Sequence, residues 1–216
     1  MARNLSGGTS GKSAPGGSPR FVLVAAVAAA LVILGAGLFL ALALRDNPRG
    51  VGGTALASAI GGPFRLIDQN GQTVTDADLK GKWSLVYFGY THCPDACPTA
   101  LNDISIALDD LGPKRDAVRA VFITVDPERD TAEALKSYVT SFDAPILALT
   151  GTPEEVAQAA KGYRVYYAKH PEVGGDYSMD HSSVIYVMDP QGRFTASFTH
   201  ENSPEEIAER LKKLLA

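Results

Sequence analysis

The chain has 216 residues, 45% of them hydrophobic and 20% charged, with 24 acidic against 20 basic side chains and two cysteines. A net charge of −4 with no block of Lys or Arg excludes the clustered positive charge that nucleic-acid phosphates require, and two cysteines cannot build a disulfide-dense scaffold. The apolar content is too high for a disordered chain, so one domain plus an extra segment is expected.

The extra segment comes first. Residues 1–20 carry Arg3, Lys12 and Arg20 without an acid and are rich in Gly, Ser and Pro, which reads as a flexible tail. Residues 21–44 hold no charged or strongly polar side chain. As a helix they would extend roughly 36 Å, enough to cross a bilayer. A cleaved signal peptide is the alternative, but its apolar core is typically about 7 to 15 residues, so a retained anchor is expected. The basic flank places the N-terminus in the cytoplasm and residues 45–216 outside. Residues 45–62, dominated by Gly and Ala, read as a tether, and residues 63–216 as one domain of about 154 residues.

Within that domain, Phe64–Asp68 and Gln72–Thr75 flank Asn70-Gly71 and predict a β-hairpin. Trp83–Tyr90 is a nearly continuous apolar run, the pattern of a strand buried on both faces. Pro98–Leu111 shows helical spacing, and Val118–Val125 is a second buried strand. Helices are expected over Thr131–Phe142, opened by Asp130 with Glu133, and over Pro153–Lys161, opened by Thr152 with Glu155 and closed by Gly162. Between them Ile146–Leu149 is a short strand. Val184–Met188 and Arg193–Phe198 form a hairpin, and Ser203-Pro204-Glu205-Glu206 caps a last amphipathic helix. This α/β order suits a thioredoxin-like domain with an N-terminal β-hairpin, preceded by one transmembrane helix.

Cys93 and Cys97 stand in Thr91-His92-Cys93-Pro94-Asp95-Ala96-Cys97-Pro98, between a buried strand and the next helix. A helix N-terminus favours thiolate over thiol. The spacing is C-x3-C rather than C-x-x-C, and residues i and i+4 share a helix face, so both sulfurs can converge on one ion. Convergence equally permits a disulfide, which competes with the metal reading, although a loop this short does little to restrict the unfolded chain. Of the four histidines, His92, His170 and His200 read as solvated. His181, in the loop leading into Val184–Met188, faces the cysteine motif in a thioredoxin-like arrangement. Two thiolates and one imidazole suit Cu(I), and also accept Zn(II) or Cu(II). Met179 is a nearby soft group, whereas Met188 reads as core.

These stretches resemble the Sco/SenC family of membrane-anchored, thioredoxin-like copper chaperones for cytochrome c oxidase assembly. The similarity runs from about Gly61 to the C-terminus. It rests on Tyr87 to Pro98, on Val125-Asp126-Pro127-Glu128-Arg129-Asp130-Thr131, on Asp180-His181-Ser182 and on Asp189-Pro190-Gln191-Gly192. The resemblance implies copper held by Cys93, Cys97 and His181, received from an upstream copper donor and delivered by ligand exchange to the binuclear copper site of oxidase subunit II. It implies a metal carrier rather than an enzyme and a place in the bacterial inner membrane with the C-terminal domain periplasmic, and the Gly-rich tether fits a monomer. Asp126 is read as a local hydrogen-bonding residue. The competing functions use the same cysteines as a thiol–disulfide reductase or redox sensor, or as a structural disulfide.

Overall fold

The computed structural model describes Leu31, Val32, Leu34, Gly35 and residues 60–172 and 174–216. All the elements named below belong to the second of two compact units into which the chain divides, Gly52–Ala216.

The first strands, β1 (Arg65–Asp68) and β2 (Thr73–Thr75), pair antiparallel with Leu66 opposite Val74. Their turn differs from a two-residue Asn-Gly turn. Asp68 N–H donates to the Gln72 carbonyl, the Asp68 carboxylate accepts from Asn70 and Gln72 N–H at 2.8 Å each, and only Gly71 is left-handed. That is a three-residue loop closed by a glycine, held by the preceding aspartate. Next come β3 (Trp83–Gly89), α1 (Ala96–Asp110), β4 (Val118–Thr124), α2 (Ala132–Val139), β5 (Ile146–Thr150) and α3 (Pro153–Tyr163). The chain ends with β6 (Tyr167–Pro171), β7 (Tyr177–His181), β8 (Ile185–Met188), β9 (Phe194–Phe198) and α4 (Pro204–Leu214).

Seven strands form one mixed sheet in the order β2-β1-β5-β4-β3-β8-β9. Strands β5, β4 and β3 are parallel, and β8 and β9 add antiparallel, the arrangement expected for a thioredoxin-like domain. Six of the seven residues of β3 are buried, which explains its unbroken apolar run. Helix α1 packs on α4, α2 lies against β5, and α3 against β1.

Three local readings change. Thr131, not Asp130, caps α2, its hydroxyl accepting from Ala134 N–H at 3.2 Å. Gly162 does not end α3. It stays helical, its carbonyl accepts from Gly61 N–H at 2.9 Å, and a Cβ there would come within 3.4 Å of the Gly61 carbonyl, while Arg164 takes the left-handed cap position. The stretch around His170 is β6, paired with β7 as a separate two-stranded sheet. Its side chains are mostly exposed and polar, so the chain carries little apolar alternation there to mark a strand.

The expected transmembrane helix needs correction as well. Among the described residues no helix is long and apolar enough to cross a membrane. Crossing takes about 20 consecutive apolar helical residues, and the longest described helix, α1, has 15. Of residues 21–44 only Leu31, Val32, Leu34 and Gly35 are described, in helical conformation. The remainder, with the tail over 1–20 and residues 45–59 of the tether expected over 45–62, lies outside the described residues, while Ile60 packs against the core and Gly61 bonds to Gly162. The membrane anchor, the single-pass topology and the inner-membrane, periplasmic placement are therefore unsupported.

Candidate metal centre

Strand β3 ends at Gly89, and a turn closed by Cys93 N–H donating to the Tyr90 carbonyl at 3.2 Å carries the chain to Cys93. Helix α1 begins two residues earlier than its apolar spacing suggests, at Ala96, which puts Cys97 in its first turn. First-turn N–H groups lack helical partners. That of Cys97 points at the Cys93 sulfur, 3.3 Å away. Cys93 is partly exposed and Cys97 fully buried, and both are free.

His181 is the last residue of β7, and its Nε2 lies 3.3 Å from Cys97 Sγ, across 84 positions of sequence. The edge contacts of Tyr87 and Tyr90 fix the imidazole, with ring centroids 6.0 and 5.8 Å away at 84° and 87°. Its Nδ1 is 3.4 Å from the Ser182 carbonyl. With a cation at the sulfurs, a proton on Nδ1 would satisfy that carbonyl and free the Nε2 lone pair for the ion. The two Sγ atoms and the imidazole nitrogen all lie within 4.8 Å of one another, and the three residues form the only such ligand group among the described residues. Bonds of about 2.0 to 2.3 Å to one ion close that spread with small side-chain shifts.

The electrostatics prepare one sulfur. Hydrogen bonding from the Cys97 thiol, above all, lowers the Cys93 pKa to about 4, helped by His181 and by the N–H groups of Cys97 and Asp95, against the opposing effect of burial. Cys97 goes the other way: its hydrogen bond to Cys93 and its burial both keep it protonated. Cys93 is thus the more readily ionised sulfur, and Cys97 must give up its proton to join it as a ligand. Soft donors in this number fit copper better than a closed four-ligand zinc site.

The surroundings add residues that spacing alone did not mark. Gly89 lies beneath the site, where a Cβ would sit 2.7 Å from Cys97 Sγ and 2.9 Å from the Phe122 ring. Asp130 is fully buried, and its carboxylate accepts from Thr91 N–H and the Thr91 and Thr124 hydroxyls at 3.0, 2.6 and 2.6 Å. It thereby ties the cysteine loop to the end of β4, and burial, its leading influence, raises its pKa. Asp126 accepts from Arg129 Nε and the Tyr177 hydroxyl at 2.5 and 2.8 Å, the first bond local as expected and the second reaching β7, 51 positions along the chain. His92, His170 and His200 are exposed, and His170 pairs with Asp180 at 2.9 Å. Met179 is buried within β7, and Met188 in the core.

A family profile described as SCO1/SenC matches residues 52–216. The Arabidopsis thaliana mitochondrial protein SCO1 homolog 1 is 42% identical over 173 residues, covering 80% of this chain and 50% of its own length. The chain thus spans about half the length of that relative. Among solved structures, Bradyrhizobium japonicum ScoI with copper bound is 54% identical, with a TM-score of 0.68 over 72% of this chain and 99% of that one. Arabidopsis thaliana ScoI with copper bound is 43% identical, with a TM-score of 0.68 over 72% and 97%. With its thioredoxin-like sheet and its Cys-Cys-His cluster, the chain belongs to the SCO1/SenC family of copper-binding proteins linked to cytochrome c oxidase assembly.

Proposed function

We propose that the chain is a copper chaperone that carries one copper ion on Cys93 Sγ, Cys97 Sγ and His181 Nε2 and delivers it to the binuclear copper site of cytochrome c oxidase subunit II. The observation that carries this reading is the convergence of two sulfurs and one imidazole nitrogen within 4.8 Å. Copper is what the two similar solved proteins hold, and the soft donor set here suits it. Three ligands leave the ion coordinatively open. Cys93, the exposed edge of the set, is where an incoming thiolate of the target can begin ligand exchange, with Cys97 and His181 released in turn. The chain's own chemistry is confined to proton loss from Cys97 on loading and proton return on release.

Copper(I) titration of the full chain should reach about one ion per chain, with X-ray absorption showing two sulfurs and one nitrogen. Cys93→Ser or Cys97→Ser should abolish tight binding, and His181→Ala should remove the nitrogen. A sulfur-only shell in wild type, or binding unchanged by His181→Ala, overturns the ligand set. Delivery is tested by mixing two equivalents of the copper(I)-loaded chain with reduced, copper-free subunit II domain, removing one electron per centre with ferricyanide, and following the electron paramagnetic resonance of the resulting mixed-valence pair. Failure of that signal to develop overturns the delivery step.

One observation favours a second activity at the same atoms. A Cys93 thiolate beside a protonated Cys97 thiol is a dithiol ready for exchange: Cys93 attacks a target disulfide, and Cys97 resolves the mixed disulfide, leaving the target reduced and this pair oxidised. It requires both cysteines, and His181 enters only through its secondary part in stabilising the Cys93 thiolate, so His181→Ala should leave reduction largely intact.

A further inference from the structure

Hairpin β6–β7 stands outside the seven-stranded sheet, so the position of His181 depends on what fastens that hairpin to the body of the domain. At the His181 end Ser182 N–H donates to the Tyr166 carbonyl at 2.9 Å and closes the hairpin on itself, while the His181 ring packs edge-on against Tyr87 and Tyr90 of the domain body. At the other end the polar fastening centres on Arg129, beside the exposed Lys169–Glu128 pair, with Met179 between the two ends buried in the core. Arg129, on the turn after β4, donates from Nη1 to the Tyr177 carbonyl at 3.0 Å and to the Asp176 carboxylate at 3.1 Å. Its Nε donates to Asp126, whose other oxygen accepts from the Tyr177 hydroxyl at 2.8 Å. The guanidinium carbon lies 3.7 Å from the centre of the Tyr177 ring, and 5.9 Å from that of Tyr90, one of the two rings that bracket His181.

We propose that Arg129 is a positioning residue for the metal centre, setting the seat of the β6–β7 hairpin so that His181 Nε2 reaches the two sulfurs. Tyr177 and His181 are the first and last residues of the same strand, so a shift at Tyr177 is transmitted along β7 to the ligand. Burial separates Arg129 from the nearby alternative. Its side chain is 17% exposed and Asp126 only 3%, whereas the Lys169–Glu128 pair that also flanks Tyr177 is 46% and 62% exposed. Exposed pairs contribute little, while a buried fork with a backbone acceptor fixes geometry. The Arg129 Nη2 atom is buried without a partner among the described residues, so the guanidinium is held there despite an unpaired donor.

The inference rests on His181 being a copper ligand, and its test separates the two. Full-length wild type, Arg129→Gln and Asp126→Asn/Arg129→Gln are loaded with copper(I). The double variant leaves no uncompensated buried carboxylate, so it reports even where the single variant fails to fold. X-ray absorption should show both sulfurs retained and the nitrogen lost or lengthened. Copper affinity should fall about 10- to 100-fold, the usual cost of removing support behind a ligand. Amides of β6 and β7 should exchange faster while those of β3 and β4 stay protected, a pattern that general destabilisation would not give. A wild-type-like shell and affinity in a folded variant overturn the inference alone. A wild type without nitrogen overturns the ligand set, and the inference with it.

Discussion

At the level of single residues, the asymmetry between the two cysteines is the property most open to experiment. The leading reason that Cys93 ionises near pH 4 is the thiol of Cys97. Alkylation of Cys93 by iodoacetamide should therefore be nearly independent of pH from about 5 to 7 in wild type. In Cys97→Ala the rate should climb with pH toward the ordinary thiol range of about 8.5. An identical flat profile in both proteins would show that the helix terminus, not the neighbouring thiol, sets the ionisation. Gly89 gives a second test. Alanine there drives a methyl into Cys97 and Phe122, so it should cost about 1 to 3 kcal/mol in urea unfolding and weaken copper binding in a competition assay. Nothing in the run Trp83–Tyr90 marks that glycine, because its constraint comes from a helix and a strand that only meet in three dimensions.

For the connecting elements, the five residues from Asp126 to Asp130 do more than join β4 to α2. The motif resembles a helix start, and the capping preference of aspartate points to Asp130 as the cap. In the fold Thr131 supplies the cap and Asp130 turns inward to hold Thr91, two residues before Cys93. A carboxyl so buried has a folded pKa above its unfolded value. The stability it contributes is fully present below the ordinary carboxyl pKa of about 3.9 and is lost as pH rises through the folded value. Asp130→Asn does not titrate, so wild type should lose stability relative to the variant as pH rises through that window. Parallel urea denaturations over a pH series measure this, and a difference that stays constant would contradict it. The β6–β7 hairpin follows the same logic: its residues carry weak local signals, and its position comes from Arg129 and Asp126 bonding to Tyr177 across 48 and 51 positions of sequence.

Across the whole molecule, the sheet and the metal centre divide the labour. Leu85, fully buried in the middle of β3, is four residues before Gly89 at the metal-centre end of the strand. Leu85→Ala should cost about 2 to 5 kcal/mol by chemical denaturation, yet leave the copper shell of the folded fraction unchanged. An altered shell would mean that the core and the centre are not separable. Residues 21–44 show the limit of composition: their apolar run has the length of a membrane span, while none of the described helices has both the length and the apolarity to cross one. The sequence by itself determined the buried parallel strands, the amphipathic helices with the Thr152 and Ser203 caps, and the C-x3-C pair at a strand-to-helix junction. Each of these is written in side chains a few residues apart, where periodicity and capping chemistry act. Only the tertiary structure decided that His181 meets Cys97 across 84 positions, that Gly89 must lack a side chain, and that Arg129 and Asp130 secure the two ligand-bearing segments. Those facts depend on which distant surfaces pack together, and no local pattern encodes a distance between them.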